Sequence, residues 1–413
     1  MHPEFSDART RKAYLAGTHR SCDPRQTVEN YRRFMPMMGI TRLANVTGLD
    51  RIGLPVCIAV RPNSRALATS QGKGETLDAA RASALMESIE TWHAERIEAP
   101  LCYDSWASLG RRARVADVNR LAVRADSTFC IDRPLHWIEG EDLMSGQRTW
   151  LPFDTVALNF VRQPGHKATF LESSNGLASG NRPVEALIHA LCEVIERDAV
   201  SLWEAVPPAR RRERQLDLAS VTDPALAAVI ASMAAKGVVL AAWDITSDIG
   251  VPTYTCSCVE DPESPHWRPV AIGAGHGTHL VPEIALSRAI HEALQSRLTT
   301  ITGSRDDLFP ADYVKVGNRD DHARLISSIR LPGPALTFDP ARPPLSDYFE
   351  DDLQTILQRL RSAGLESALA VDLTRPEVGI PVFKVVVPGL EPFMTQLYRP
   401  GERARRLMRE MQQ

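Results

Sequence analysis

The sequence has no long apolar run. Its N-terminus, MHPEFSDARTRKAYLAGTHR, is charged throughout and lacks the apolar core of an export signal, and no later segment reaches the length that crosses a bilayer. A soluble, cytoplasmic protein is expected. Charge of one sign is lacking too: 48 basic against 51 acidic residues leave a formal net charge of −3, which gives no footprint for nucleic acid or an anionic membrane surface. The seven cysteines, Cys22, Cys57, Cys102, Cys130, Cys192, Cys256 and Cys258, form no CxxC and no zinc-ribbon spacing, so reduced thiols are expected rather than a disulfide framework. Several site signatures are missing as well. SQGKGE has the GK of a phosphate loop without its spacing or hydroxyl, His276 and His279 have no HExxH around them, and there is no GxSxG. Standard phosphate-loop, zinc-protease and α/β-hydrolase readings therefore fail.

What is present is an ordinary globular composition, 413 residues with 44% apolar and 24% charged. GLPVCIAVRP, VPTYTCSCV, HWRPVAIGAG and GIPVFKVVVPG are short β-rich runs closed by Gly or Pro, and long Ala- and Leu-rich helical stretches lie between them. Without regular βαβ spacing this predicts an α/β body of the mixed α+β kind rather than a doubly wound nucleotide fold. Residues 331–347, LPGPALTFDPARPPLSD, read as a proline-rich linker before a short C-terminal unit containing PVFKVVV.

One pattern repeats. Gly74 is followed by Ser83, Glu87 and Glu90 at offsets of nine, thirteen and sixteen, and Gly180 by His189, Glu193 and Glu196 at the same offsets. A third stretch, GHGTHLVPEIALSRAIHEALQSR, carries Arg288, Glu292 and Gln295 at the same mutual spacing after a lead-in two residues longer. Positions i, i+4 and i+7 form one polar stripe on a helix. The opposite face is apolar, with Leu85, Ile89 and Trp92 in the first copy and Ile290, Leu294 and Leu298 in the third.

Surface helices with solvated acids would show the same wheel. The recurrence and the complementary types, paired carboxylates in two copies and Arg197 and Arg288 nearby, point instead to convergence. Glu87, Glu90, Glu193 and Glu196 would then cluster and require cations. Oxygen-only ligands suit Mg²⁺, which bridges a few carboxylates to substrate phosphates, and the arginines would clamp phosphoryl oxygens. The glycine-rich SQGKG and SNGLASGN would admit backbone close to the ligand. Together these parts suggest a site for a metal-bound nucleoside triphosphate.

The SxxxExxE of Ser83, Glu87 and Glu90, the run from Ser174 to Asp198, and PVFKVVVPGLE together resemble the YcaO family over nearly the whole chain. The resemblance implies a single catalytic domain over 1–413 and an enzyme that uses ATP and Mg²⁺ to phosphorylate a peptide backbone amide, leaving an azoline, a thioamide or an amidine. It implies Glu87, Glu90, Glu193 and Glu196 as metal ligands. It implies Arg20, Thr27, Ser83, Asn181, Glu185, Arg197, Arg288 and Gln295 as ATP contacts, with Arg197 and Arg288 acting on the phosphoryl group. A homodimer is the oligomer it suggests.

Azoline-forming members commonly end in a proline-rich tail, whereas this chain ends RARRLMREMQQ, and no E1-like or zinc-bearing docking domain precedes the motifs. GLDRIGLPVCIAVRPNSRALATSQGKG and SRLTTITGSRDD look most like members that work with a TfuA partner in thioamide formation. The leading expectation is thus thioamidation of a peptide or protein with a TfuA-like partner and a sulfur donor. An azoline-forming cyclodehydratase is the alternative, and a non-catalytic peptide-docking scaffold a third.

Overall fold

Three antiparallel sheets and three long helices make up the frame of the computed structural model, which describes residues 9–161, 168–315, 318–330, 335–340, 346–392 and 397–411. The first part of the chain forms α1 (Pro24–Tyr31), β1 (Arg42–Asn45), β2 (Val56–Val60), β3 (Thr69–Lys73) and α2 (Leu77–Ala94). Next come β4 (Leu101–Asp104), β5 (Leu135–Asp142), β6 (Gln147–Pro152), β7 (Leu177–Ser179) and α3 (Pro183–Ala205). The rest supplies β8 (Leu216–Asp217), β9 (Val238–Asp244), β10 (Thr253–Glu260), β11 (Gly273–Thr278), α4 (Pro282–Thr302), β12 (Leu336–Thr337), α5 (Phe349–Ser362), β13 (Leu369–Asp372), β14 (Val382–Val386) and α6 (Glu402–Glu410).

The repeat is structural. In the first unit the sheet β1-β2-β3 is followed by α2, and in the third the sheet β9-β10-β11 is followed by α4. Local chemistry sets where these helices begin. The Thr76 hydroxyl accepts from the Ala79 N–H at 3.1 Å, and α3 and α4 start on Pro183 and Pro282, whose missing N–H is no loss in a first turn. Gly303, at φ 57°, ends α4 in a left-handed cap. The apolar stripes face inward: Leu85, Ile89, Ile290, Leu294 and Leu298 are all buried.

Gly72 and Gly277 do the same job in the two units. A Cβ on Gly72 would sit 2.1 Å from the Ala84 nitrogen and 2.2 Å from the Ala80 carbonyl oxygen, and one on Gly277 would sit 2.1 Å from the Ala285 oxygen and 2.6 Å from the Ala289 nitrogen. Strand and helix backbones thus touch through paired glycine and alanine positions. Each glycine stands eleven residues before the first stripe residue, Ser83 or Arg288. Measured from the packing glycine, the third lead-in is therefore no longer than the first.

The largest sheet has the order β4-β5-β13-β14-β7, with β6 also on β5. Here the expected C-terminal unit is corrected: β13 and β14 lie between β5 and β7, so PVFKVVV is an interior strand of this sheet and not part of an appendage. The proline-rich stretch is also partly regular. β12 pairs in parallel with β8, Leu336 N–H donates to the Gln215 carbonyl at 2.7 Å, and Phe338 is buried; residues 331–334 and 341–345 of that stretch lie outside the described residues. HWRPVAIGAG is a strand only from Gly273. Among the described residues, no helix is long and apolar enough to cross a membrane.

Candidate active site

A cavity of ≈ 670 Å³ opens where α2, α3 and α4 converge. The helices bring their polar stripes to its wall: Ser83, Glu87 and Glu90 from α2, His189, Glu193, Glu196 and Arg197 from α3, and Arg288, Glu292 and Gln295 from α4. Arg20, Thr27, Asn181 and Glu185 line it as well. All fourteen residues, each singled out from the sequence, thus line one space. Near the start of α3, Arg20 lies 3.5 Å from Glu185, the Ser21 hydroxyl donates to Glu185 at 2.6 Å, and the Thr27 hydroxyl donates to the Asn181 side-chain oxygen Oδ1 at 3.3 Å.

The acids are under electrostatic pressure. Burial, with Glu193 adding repulsion, raises the Glu87 carboxyl to about 7 against the pull of Lys73 and Arg305. Burial raises Glu90 to about 8, although Ser179 donates to one of its oxygens from both its N–H (2.8 Å) and its hydroxyl (2.7 Å). Burial and the neighbouring Glu196 bring Glu193 to about 7, with Arg197 opposing them. Arg197 is close to both α3 acids but only loosely, at 3.8 Å from Glu193 and 3.9 Å from Glu196. Burial works against its charge, yet Glu196, Glu193 and Glu292 hold its pKa above the ordinary value.

Among the described residues four buried atoms of this wall have no hydrogen-bond partner: Glu196 Oε2 and Arg288 Nε, of opposite charge, together with Gln71 Nε2 and His291 Nε2. Buried polar atoms are seldom left so. An acceptor and a donor on the rim of one cavity, beside three carboxyls pushed toward protonation, fit a ligand with cationic and anionic parts. The oxygen-only donors fit a hard divalent cation. The expected four-carboxylate cluster is not preformed, however: among the described residues no three His, Cys, Asp or Glu groups stand close enough to hold an ion by themselves. That suits an ion whose shell is completed by phosphate oxygens. His279 packs edge-on against His19 at 5.0 Å.

Sequence reasoning missed two lysines, Lys73 on the wall and Lys384 in the field of Glu193. Lys73 and Glu292 pair at 2.6 Å, and Lys73, Arg197 and His276 outweigh the burial of Glu292 and pull its carboxyl down to about 2. The stripe spacing pointed to Glu292; nothing local pointed to its partner, 219 residues away. Lys384, in the middle of the large sheet, donates to the carbonyls of Ser173 and Asn175 at 2.5 and 2.7 Å, and burial lowers it to about 8 against the attraction of Glu193. Of the glycine-rich lead-ins, Gly74 and Gly180 do line the cavity, whereas Gly72 serves helix packing.

The family model "YcaO cyclodehydratase, ATP-ad Mg2+-binding" matches residues 71–391. A protein encoded in the tfuA 3′ region of Rhizobium leguminosarum bv. trifolii is 36% identical over 379 residues, covering 90% of this chain and 88% of that one. A protein of Methanothermobacter thermautotrophicus is 35% identical over 385 residues, covering 92% and 97%. Among solved structures, a heterocyclase in complex with substrate and cofactor superposes with a TM-score of 0.77 at 25% identity over 94% of this chain, which spans 54% of that chain's length. The YcaO protein of Methanopyrus kandleri bound with AMPPCP and Mg²⁺ shares the fold, with a TM-score of 0.70 at 24% identity over 93% of this chain and 95% of that one.

Proposed function

The chain belongs to the YcaO family, and from that premise we propose that it uses ATP and Mg²⁺ to activate a backbone amide of a peptide or protein and installs a thioamide there. The observation that carries the ATP chemistry is the convergence of four stripe carboxylates with Arg197 and Arg288 on one cavity wall. Glu87, Glu90, Glu193 and Glu196 would hold Mg²⁺, and relief of their mutual repulsion would favour binding. Mg²⁺, when bound, neutralises triphosphate charge. Ser83, Asn181, Glu185, Arg20, Thr27 and Gln295 hold the nucleotide in this reading, while Arg197 and Arg288 stabilise the transferring phosphoryl group. Positioning and electrostatics carry most of such a transfer.

In the proposed reaction the amide oxygen takes the γ-phosphoryl group of ATP and ADP leaves. Sulfur from a donor adds to the amide carbon, and phosphate departs with the former amide oxygen. A TfuA-like partner delivering the sulfur belongs to this reading, which the relative encoded in a tfuA region supports. Use of ATP and seven free cysteines among the described residues fit a cytoplasmic enzyme. Likeness to a heterocyclase favours the second reading, azoline formation from Cys, Ser or Thr.

Incubation with ATP, Mg²⁺, sulfide and a candidate peptide, with and without a TfuA-like protein, separates the readings by mass. Exchange of one oxygen for sulfur with release of phosphate is expected. Loss of one water would give the azoline reading the lead, and absence of ATP turnover with every peptide would leave the scaffold.

A further inference from the structure

The three stripes are alike at their second position. Glu87, Glu193 and Glu292 each stand four residues after the first stripe residue, on three helices that line the same cavity. Their electrostatic states differ. Burial drives Glu87 and Glu193 toward protonation, whereas Glu292 is firmly ionised because the Lys73 ammonium lies 2.6 Å from its Oε2. Its other oxygen accepts from the backbone N–H of His276 at 3.4 Å. The third slot therefore already contains its cation.

That cation faces the ligand space. Lys73 is the last residue of β3, it lines the cavity, and its side chain keeps 19% of its exposure. An ammonium has three N–H donors, and the contact with Glu292 is the one hydrogen bond its Nζ makes among the described residues. Its field reaches across the wall: it opposes protonation of Glu87 and depresses His189, His276 and His291. The long lever is fixed at both ends, by β3 pairing with β2 and by the carboxylate on α4.

We propose that Lys73, held by Glu292, is a built-in cation of the site that donates to the phosphate oxygens of the nucleotide, so that the third stripe takes no metal ion. This rests on the ATP reading above. Sequence periodicity places Glu292 on the third stripe without giving it a role; the pairing makes it a positioning residue for an ammonium. Lys73 is the phosphate contact, and Glu292 aims it.

The test compares wild type with Lys73→Met and with the double variant K73M/E292Q, which leaves no orphan charge in the pair. Calorimetry with ATP in Mg²⁺, and with AMP, gives the affinities, and thermal melting without ligand reports the fold. Loss of a charge-assisted contact predicts a fall in ATP affinity of about 10- to 100-fold in both variants. AMP affinity should change little, and melting in the double variant should return toward wild type. A double variant that binds ATP like wild type, or loses ATP and AMP affinity alike, would reduce the pair to a bridge between β3 and α4 and overturn the proposal. Wild type that ignores ATP would overturn the ATP reading itself, an outcome separate from a variant-specific loss.

Discussion

Glu193 shows most plainly how a buried carboxyl on the cavity wall works against stability. It lies on the cavity wall with a carboxyl raised to about 7, as Glu87 is, while Glu90 is raised to about 8. A carboxyl whose folded pKa exceeds its reference value of 4.5 holds more protons folded than unfolded between the two values. Stability from these groups is complete below about pH 4.5 and is lost as pH rises through 7 to 8. Metal-free protein is accordingly expected to melt at lower temperature at pH 8 than at pH 6, and Mg²⁺ with ATP to recover the difference. Glu193→Gln should flatten that slope, because the amide has no charge to desolvate, and should cut phosphate release about 100-fold or more. A variant that unfolds instead would make Glu193 a structural residue.

At the scale of elements, the site depends on how closely strands lie on helices. β11 meets α4 through Gly277, and β3 meets α2 through Gly72, with backbone atoms where a Cβ would be. Gly277→Ala would force these apart. Overpacking of this kind costs about 1–3 kcal/mol, so the midpoint of denaturant unfolding is expected to fall, and turnover with it, since α4 carries Arg288, Glu292 and Gln295. An unchanged midpoint and rate would mean that the helix can shift without disturbing the wall. α3 is tied at its far end as well: Arg403 of α6 reaches buried Asp198 with two contacts of 2.9 Å, and the Glu391 N–H donates to the same carboxylate at 3.0 Å. The stripe of α3 is thereby held by the C-terminal helix and by the segment that follows β14.

For the whole molecule, three polar stripes meet because each helix buries its apolar face in a different part of the core. α2 packs into the cluster containing Trp137 and Phe170, α3 into that of Ile356 and Val385, and α4 into that of Tyr254 and Cys256. A ligand held among them should stabilise the entire fold. ATP and Mg²⁺ together at about 100 times the dissociation constant are expected to add about 2.7 kcal/mol, seen as a rise in melting temperature that neither gives alone and that the Glu87→Gln, Glu193→Gln double variant lacks. The sequence by itself determined the three helices and their polar and apolar faces, Ser83 included, because helical period is local, whereas Arg20, Thr27, Asn181 and Glu185 were legible only through the resemblance to the YcaO family. It did not reveal strands such as β5 and β6, whose polar and charged residues break up any apolar run, or the interior place of β14, because a strand's neighbours are chosen by pairing across the whole chain. It also left Glu292 without a role. Only tertiary structure put Lys73 beside that carboxylate, since the sign and distance of a charge 219 residues away decide its state and no spacing within a helix encodes them.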